Sequence, residues 1–184
     1  MRTQAPVLGV DFGRVIQGGP GPDGAADTAF LGGSLADALA SPAVAGVWES
    51  LPRMVALFGG RAWIISKCGD RVRLRTLAWL DHHDFYERTG IDRANVRFCR
   101  KRPEKAVHCR RLGVTHMVDD RADVHRALAG IVPHRYLFGP QETPVPDLPN
   151  PLTWARLEAM VSADLAGAPG SAAVPRPPAT RRSR

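Results

Sequence analysis

The chain has little cysteine, little lysine and no long hydrophobic run, and each shortage excludes something. Its three cysteines, Cys68, Cys99 and Cys109, are spaced without any CxxC pair. An odd count in that arrangement builds neither a disulfide framework nor a zinc site, and the thiols are expected reduced and partly buried. No stretch reaches the ~18 apolar residues of a membrane span. The opening MRTQAP is too short and polar for a secretory leader, so the expectation is a soluble, cytoplasmic protein with no membrane partner. Aromatic residues make up only 7% of the chain, and no basic run is interleaved with them, as base stacking would require. Arginine supplies almost all the positive charge, leaving three lysines, Lys67, Lys101 and Lys105, each of which stands out.

What is present is ordinary for one globular domain: 184 residues, 44% hydrophobic and 23% charged. The formal charge of +7 is unevenly placed, because the segment after Ala166 holds four arginines and no acid. Without those arginines the remainder carries +3, which suits a small anionic substrate and supports nucleic acid only weakly. That Pro/Ala/Arg-rich tail, 167–184, is expected to be disordered. Nothing in the sequence decides the oligomeric state.

Five short apolar runs read as buried strands. They are Leu8–Val10 leading into Asp11, Arg61–Ser66, Val96–Cys99, His116–Asp120 and His134–Gly139. Helical patterns lie between them. Val44–Phe58 contains Pro52, which predicts a kink or two short helices. Asp70–Trp79 has Asp70 as its expected N-cap, with Val72, Leu74, Leu77 and Trp79 largely on one side. Glu104–Leu112 has Pro103 at its start and Gly113 past its end. Arg121–Ala129 and Trp154–Leu165 complete the set. Strands alternating with helices predict a doubly wound, mainly parallel five-stranded α/β sheet covered on both faces, occupying residues 1–166. The glycine-rich stretch Gln17–Ser34 reads as a loop, and 17–43 as an insert forming at most a minimal cap.

The polar residues at strand ends carry the chemistry. Strand one ends at Asp11, strand two at Ser66 with Lys67 next, and strand four at Asp119-Asp120; Lys105 opens the helix before strand four. In a parallel sheet these share one edge, where ligands bind near the topological switch point. A phosphoryl group passing to a carboxylate develops charge on its equatorial oxygens, which an ammonium and a hydroxyl can hold. Three carboxylates repel one another, and Mg²⁺ resolves that repulsion with a few carboxylates, waters and phosphate. Each residue also has a plainer reading. Asp11 could form a turn, Asp119-Asp120 could cap a helix, and Lys67 and Arg121 could be solvated. Lys101 competes with Lys105, and Asp81-His82-His83-Asp84 reads as a solvated helix end.

Together these residues resemble the haloacid dehalogenase-like hydrolase superfamily. Its four motifs match, in order, VLGVDFG, AWIIS, PEKAVHC and MVDD, over about residues 7–139. The nearest similarity is to compact members such as deoxyribonucleotidases and polynucleotide 3′-phosphatases. The resemblance implies a Rossmann-like fold and a Mg²⁺-dependent phosphomonoester hydrolase. Asp11 would be the nucleophile and a metal ligand, and the carbonyl of Gly13 a second ligand. Asp119 and Asp120 would complete the metal site, while Ser66, Lys67 and Lys105 would bind the phosphoryl group of a phosphorylated small molecule or nucleotide.

One position departs from the pattern. Such phosphatases usually carry a second aspartate two residues after the nucleophile, to protonate the leaving group, and here it is Gly13. A positioned proton donor is worth roughly 10²–10⁴-fold in rate. The alternatives are therefore a catalytically impaired binding protein and a dehalogenase-like hydrolase. Phosphonatase chemistry needs a cap lysine, and 17–60 has none. A receiver domain would place its acid pair after strand one, and the DFG of a kinase would need a glycine-rich loop and HRD.

Overall fold

The computed structural model describes residues 5–18 and 25–167, with main chain only at 25–28. The tail 168–184 and the glycine-rich 19–24 lie outside the described residues. Five strands, β1 (Leu8–Val10), β2 (Ala62–Lys67), β3 (Val96–Cys99), β4 (His116–Asp119) and β5 (His134–Leu137), form one sheet in the order β3-β2-β1-β4-β5. Every pairing is parallel, with Val10 beside Ile64 on one side and Val118 on the other. Eight α-helices are described: α1 (Ala25–Gly32), α2 (Leu35–Ala40), α3 (Val47–Leu57), α4 (Asp70–His82), α5 (Phe85–Thr89), α6 (Lys105–Leu112), α7 (Ala122–Ala127) and α8 (Trp154–Gly167). The expected α/β architecture with a parallel five-stranded sheet is therefore what the chain adopts. No described helix is long and apolar enough to cross a membrane.

The two-residue alternation of a strand divides the core. Leu8, Val10, Ala62, Ile64 and Val118 face one cluster with Leu51, Trp79, Trp154 and Leu157. Ile65 and Met117 face the other, smaller cluster with Cys109, Val124 and Leu128. Gly9 lies on this second face: a Cβ there would stand 2.8 Å from Met117 Sδ and 3.1 Å from Val114 Cγ1, so a side chain would have to displace these neighbours.

Four local expectations change. Pro52 neither ends nor divides α3, which runs as one helix because its buried face of Val47, Leu51, Met54 and Val55 outweighs one missing hydrogen bond. Asp70 is not the cap of α4: Gly69 occupies that position, and Asp70 lies in the first turn, paired with Arg100 at 2.6 Å. Leu74 is exposed, and α4 buries Arg75, Thr76, Trp79 and Leu80 instead. The described part of Gln17–Ser34 is largely helix, because the glycines cluster at the ends and leave Ala25–Leu31 free of them. A capping box between Ser34 and Asp37 then starts α2.

The insert is closed at its base. Gly18 N donates to Pro42 O at 3.0 Å and Val44 N to Ile16 O at 2.8 Å, so the chain leaves and re-enters at one point. His83 is also no solvated residue: its Nε2 lies 2.9 Å from Leu39 O, and its ring packs 4.2 Å from that of Trp79. All three cysteines are buried and free.

Candidate active site

The carboxyl edge of the sheet collects the polar strand ends. β1 is central, with β2 and β3 to one side and β4 and β5 to the other, so the topological switch lies between β1 and β4. Asp11 extends β1, its N–H donating to Val118 O at 2.9 Å. The chain then turns sharply: Phe12 O accepts from Ile16 N at 2.9 Å and Gln17 N at 3.0 Å, and Arg14 takes a left-handed φ of 61°. This turn points the chain out of the sheet immediately after the carboxylate. Backbone strain of this kind is concentrated at functional sites.

A cleft of about 250 Å³ opens over this edge. Asp11, Gly13, Ser66, Lys67, Lys105 and Asp120 all line it, so six of the seven residues singled out in the sequence meet there. The seventh, Asp119, lies fully buried beneath it. Lys105 joins the layers: its Nζ is 2.8 Å from Asp11 Oδ1 and 2.6 Å from Asp119 Oδ2. Lys101, by contrast, is exposed. The helix start places Lys105 at 1% exposure, where an ammonium is tolerated only when paired.

The charges are unevenly compensated. Burial opposes the Lys105 charge, but Asp11 and Asp119 outweigh it and hold the ammonium protonated beyond the usual lysine range. Burial and the Asp11 charge push the Asp119 carboxyl up to about 8, with Lys105 pulling the other way. Asp120 is pushed up to about 6 by burial and Asp11, against the pull of Arg121 and Arg14. Lys105 thus pairs with Asp11 and Asp119, Arg121 and Arg14 act on Asp120, and the three carboxylates offer oxygens within 4.8 Å of one another. The donors are hard oxygens, the set that Mg²⁺ or Ca²⁺ prefers. The Cys68 thiol at the cleft edge is pushed up to about 11 by burial, so no soft thiolate competes.

The two neighbouring aspartates differ in what they can offer. Asp119 spends both oxygens inside the protein, Oδ2 on Lys105 and Oδ1 on the N–H of Arg121 at 3.0 Å. Its main-chain carbonyl accepts from Phe138 N at 2.9 Å. Asp120 faces the cleft, with its carboxylate 3.5 Å from Arg121 Nε and within the field of Arg14.

Several cleft residues lie outside the catalytic, phosphate-binding and metal set expected from the sequence. Arg14, Arg102 and Arg121 add positive charge around the opening, and Phe12, Phe30, Leu31, Val72 and Thr76 form its wall. Arg121 adjoins MVDD and could be suspected from that alone. Phe30, Leu31 and Thr76 carry no local signal, since helix packing alone brings them there. Protein-family models and curated proteins were both compared with the chain, and none matches it.

Proposed function

We propose that the protein is a Mg²⁺-dependent phosphomonoester hydrolase of the haloacid dehalogenase-like kind, acting through an aspartyl-phosphate on Asp11. The observation that carries this reading is the Lys105 bridge between Asp11 and Asp119 on the floor of an open cleft. A buried ammonium that fixes one carboxylate oxygen, beside a hydroxyl and two more aspartates, is the arrangement in-line phosphoryl transfer needs. The motif order along the chain supports the same assignment.

Asp11, Asp120 and the Gly13 carbonyl would hold the cation, with Asp119 orienting Lys105 and the backbone of Arg121 from beneath. When bound, Mg²⁺ neutralises the clustered carboxylates and polarises the phosphoryl oxygens. Lys105 orients Asp11 through Oδ1, and Ser66 stands at the adjacent strand end to hold a phosphoryl oxygen. An oxygen of Asp11 forms a bond to phosphorus as the bond to the leaving oxygen breaks. Water then attacks, the bond to Asp11 breaks, and inorganic phosphate departs. Residues 17–43 supply two helices beside this cleft, which we read as the minimal cap.

The test is phosphate release from a panel of nucleotides, sugar phosphates and 3′-phosphorylated oligonucleotides with Mg²⁺. Asp11→Asn should lower the rate by as much as ~10⁶-fold, the scale of losing a covalent nucleophile. Undiminished turnover in that variant would sink the mechanism. Gly13 favours a second reading, a binding protein with an incomplete site; Mg²⁺-dependent binding of these esters without turnover would establish it.

A further inference from the structure

Thr76 is 1% exposed, lines the cleft, and its Oγ1 has no hydrogen-bond partner among the described residues. A buried helical threonine ordinarily bonds back to the carbonyl four residues earlier. Thr89, the other buried helical threonine described, does so, with Oγ1 2.8 Å from Phe85 O. A buried hydroxyl left unanswered costs stability, so the group that answers it is expected to come from outside the chain.

The wall around Thr76 is apolar and held in place. Phe30 packs on Phe12 with ring centroids 5.6 Å apart, and Phe12 meets Trp79 edge-on at 5.3 Å. Arg75 donates to Phe30 O at 2.6 Å and to Gly33 O at 2.5 Å, tying the end of α1 to α4. A sugar placed against Phe30, Leu31 and Val72 would lose the hydration of several hydroxyls and recover one partner. An aromatic ring would lose none. The cleft, at about 250 Å³, lies just below the ~300–1,000 Å³ of typical ligand pockets and suits a compact group.

Position 13 points the same way by chemistry. Gly13 lines the cleft and carries no proton donor. A leaving group that must depart unprotonated is favoured when its oxygen is weakly basic. A phenol ionises near ~10, far below the ~15.7 of water.

We infer that Phe30, Leu31, Val72 and Thr76 form a leaving-group subsite for a compact aryl phosphate whose ring bears one hydrogen-bonding substituent. This rests on the phosphatase reading. The bond from Asp11 to phosphorus forms as the aryl oxygen–phosphorus bond breaks, and the electron pair leaves on the phenolate, which takes a proton from solvent. Water then cleaves the aspartyl-phosphate and restores the carboxylate.

The test compares phenyl phosphate, its three monohydroxylated ring analogues and glucose 6-phosphate, each with Mg²⁺, on the full chain and on Thr76→Val and Thr76→Ser. Binding of the same esters to Asp11→Asn, with and without Thr76→Val, is followed by calorimetry. Aryl esters should exceed glucose 6-phosphate by at least tenfold in kcat/KM. Thr76→Val should erase most of the preference for the best hydroxylated ester over phenyl phosphate, a loss of about three- to tenfold, and Thr76→Ser should keep it. Thr76→Val should fold at least as stably as the parent, since the hydroxyl it removes has no partner. Equal or better use of glucose 6-phosphate, or a preference untouched by Thr76→Val, overturns the subsite and leaves the phosphatase standing. No hydrolysis of any ester, with aryl binding that still weakens in Thr76→Val, overturns the hydrolytic reading and keeps the subsite. No hydrolysis and no Thr76-dependent binding overturns both.

Discussion

Lys105 and Arg75 are both buried cations, at 1% and 7% exposure, yet the regions around them differ in kind. Lys105 sits among carboxylates on the floor of the cleft, where strands β1 and β4 end. Arg75 has main-chain carbonyls as its hydrogen-bond acceptors and joins two helices of the wall. A charge surrounded by titratable groups is placed for chemistry. A charge satisfied by carbonyl oxygens at the end of a helix is placed for shape, and it also complements the negative end of the α1 dipole. On the proposed reading the floor would carry the reaction and the wall would decide what enters.

The largest expected effect separates the two. Lys105→Met leaves Asp11 and Asp119 buried without a counter-charge, and should destabilise the metal-free protein by about 3–5 kcal/mol, read as a shifted midpoint in denaturant unfolding. Gly13→Asp tests the floor by addition. A Cβ at position 13 would meet nothing within 4 Å, and its φ is not left-handed, so an aspartate can be accommodated. It should raise turnover of alkyl phosphates by up to ~10²-fold while changing aryl esters far less, because only the alkoxide needs the proton. Arg75→Met should cost about 2 kcal/mol, the range of a hydrogen bond from a charged group. It should also speed amide exchange in residues 29–33 without altering exchange at Lys105. If exchange rises equally in both places, the wall and floor are one unit and the contrast fails.

The smallest effect is a pH dependence. The Asp119 and Asp120 carboxyls are raised from 3.8 to about 8 and about 6 in the folded protein. A raised carboxyl contributes stability that is full below its unfolded value and lost as pH rises through its folded one. In metal-free protein this contribution is therefore present near pH 4 and fades by pH 8. A divalent cation favours the ionised forms, so Mg²⁺ should raise Tm more at pH 8 than at pH 5. At ten times its Kd it adds about 1.4 kcal/mol. His116, held down to about 4 by burial first and then by His134, opposes the trend at low pH and has no part in the Mg²⁺ increment. An equal Tm increment at both pH values would place the cation elsewhere.

Much of the floor was legible before folding, because each of its residues sits at the end of an apolar run. Asp11 follows LGV, Ser66 follows AWII and Asp119 follows HMV, and in a parallel sheet strand ends must share an edge. Lys105 was harder to choose, since Lys101 lies one helical turn away. Burial separates them, and burial depends on the helix starting after Pro103. The wall was not legible. Gln17–Ser34 looks like a loop by its glycine content, but glycines at the ends of a segment interrupt nothing between them. Asp70 looks like a cap, but the turn after β2 puts Gly69 in that position.

Sequence alone determined the alternation of strands and helices, the parallel sheet and the carboxylate, hydroxyl and ammonium set at its edge. These follow from local periodicity and from chain direction, which are one-dimensional properties. Tertiary structure alone decided that Asp119 is spent on Lys105 while Asp120 faces the cleft, and that Thr76 lines that cleft with its hydroxyl unanswered. Neighbouring aspartates are equivalent until packing gives their oxygens different partners. A threonine in a helix shows no want of a partner until the wall built from α1 closes around it.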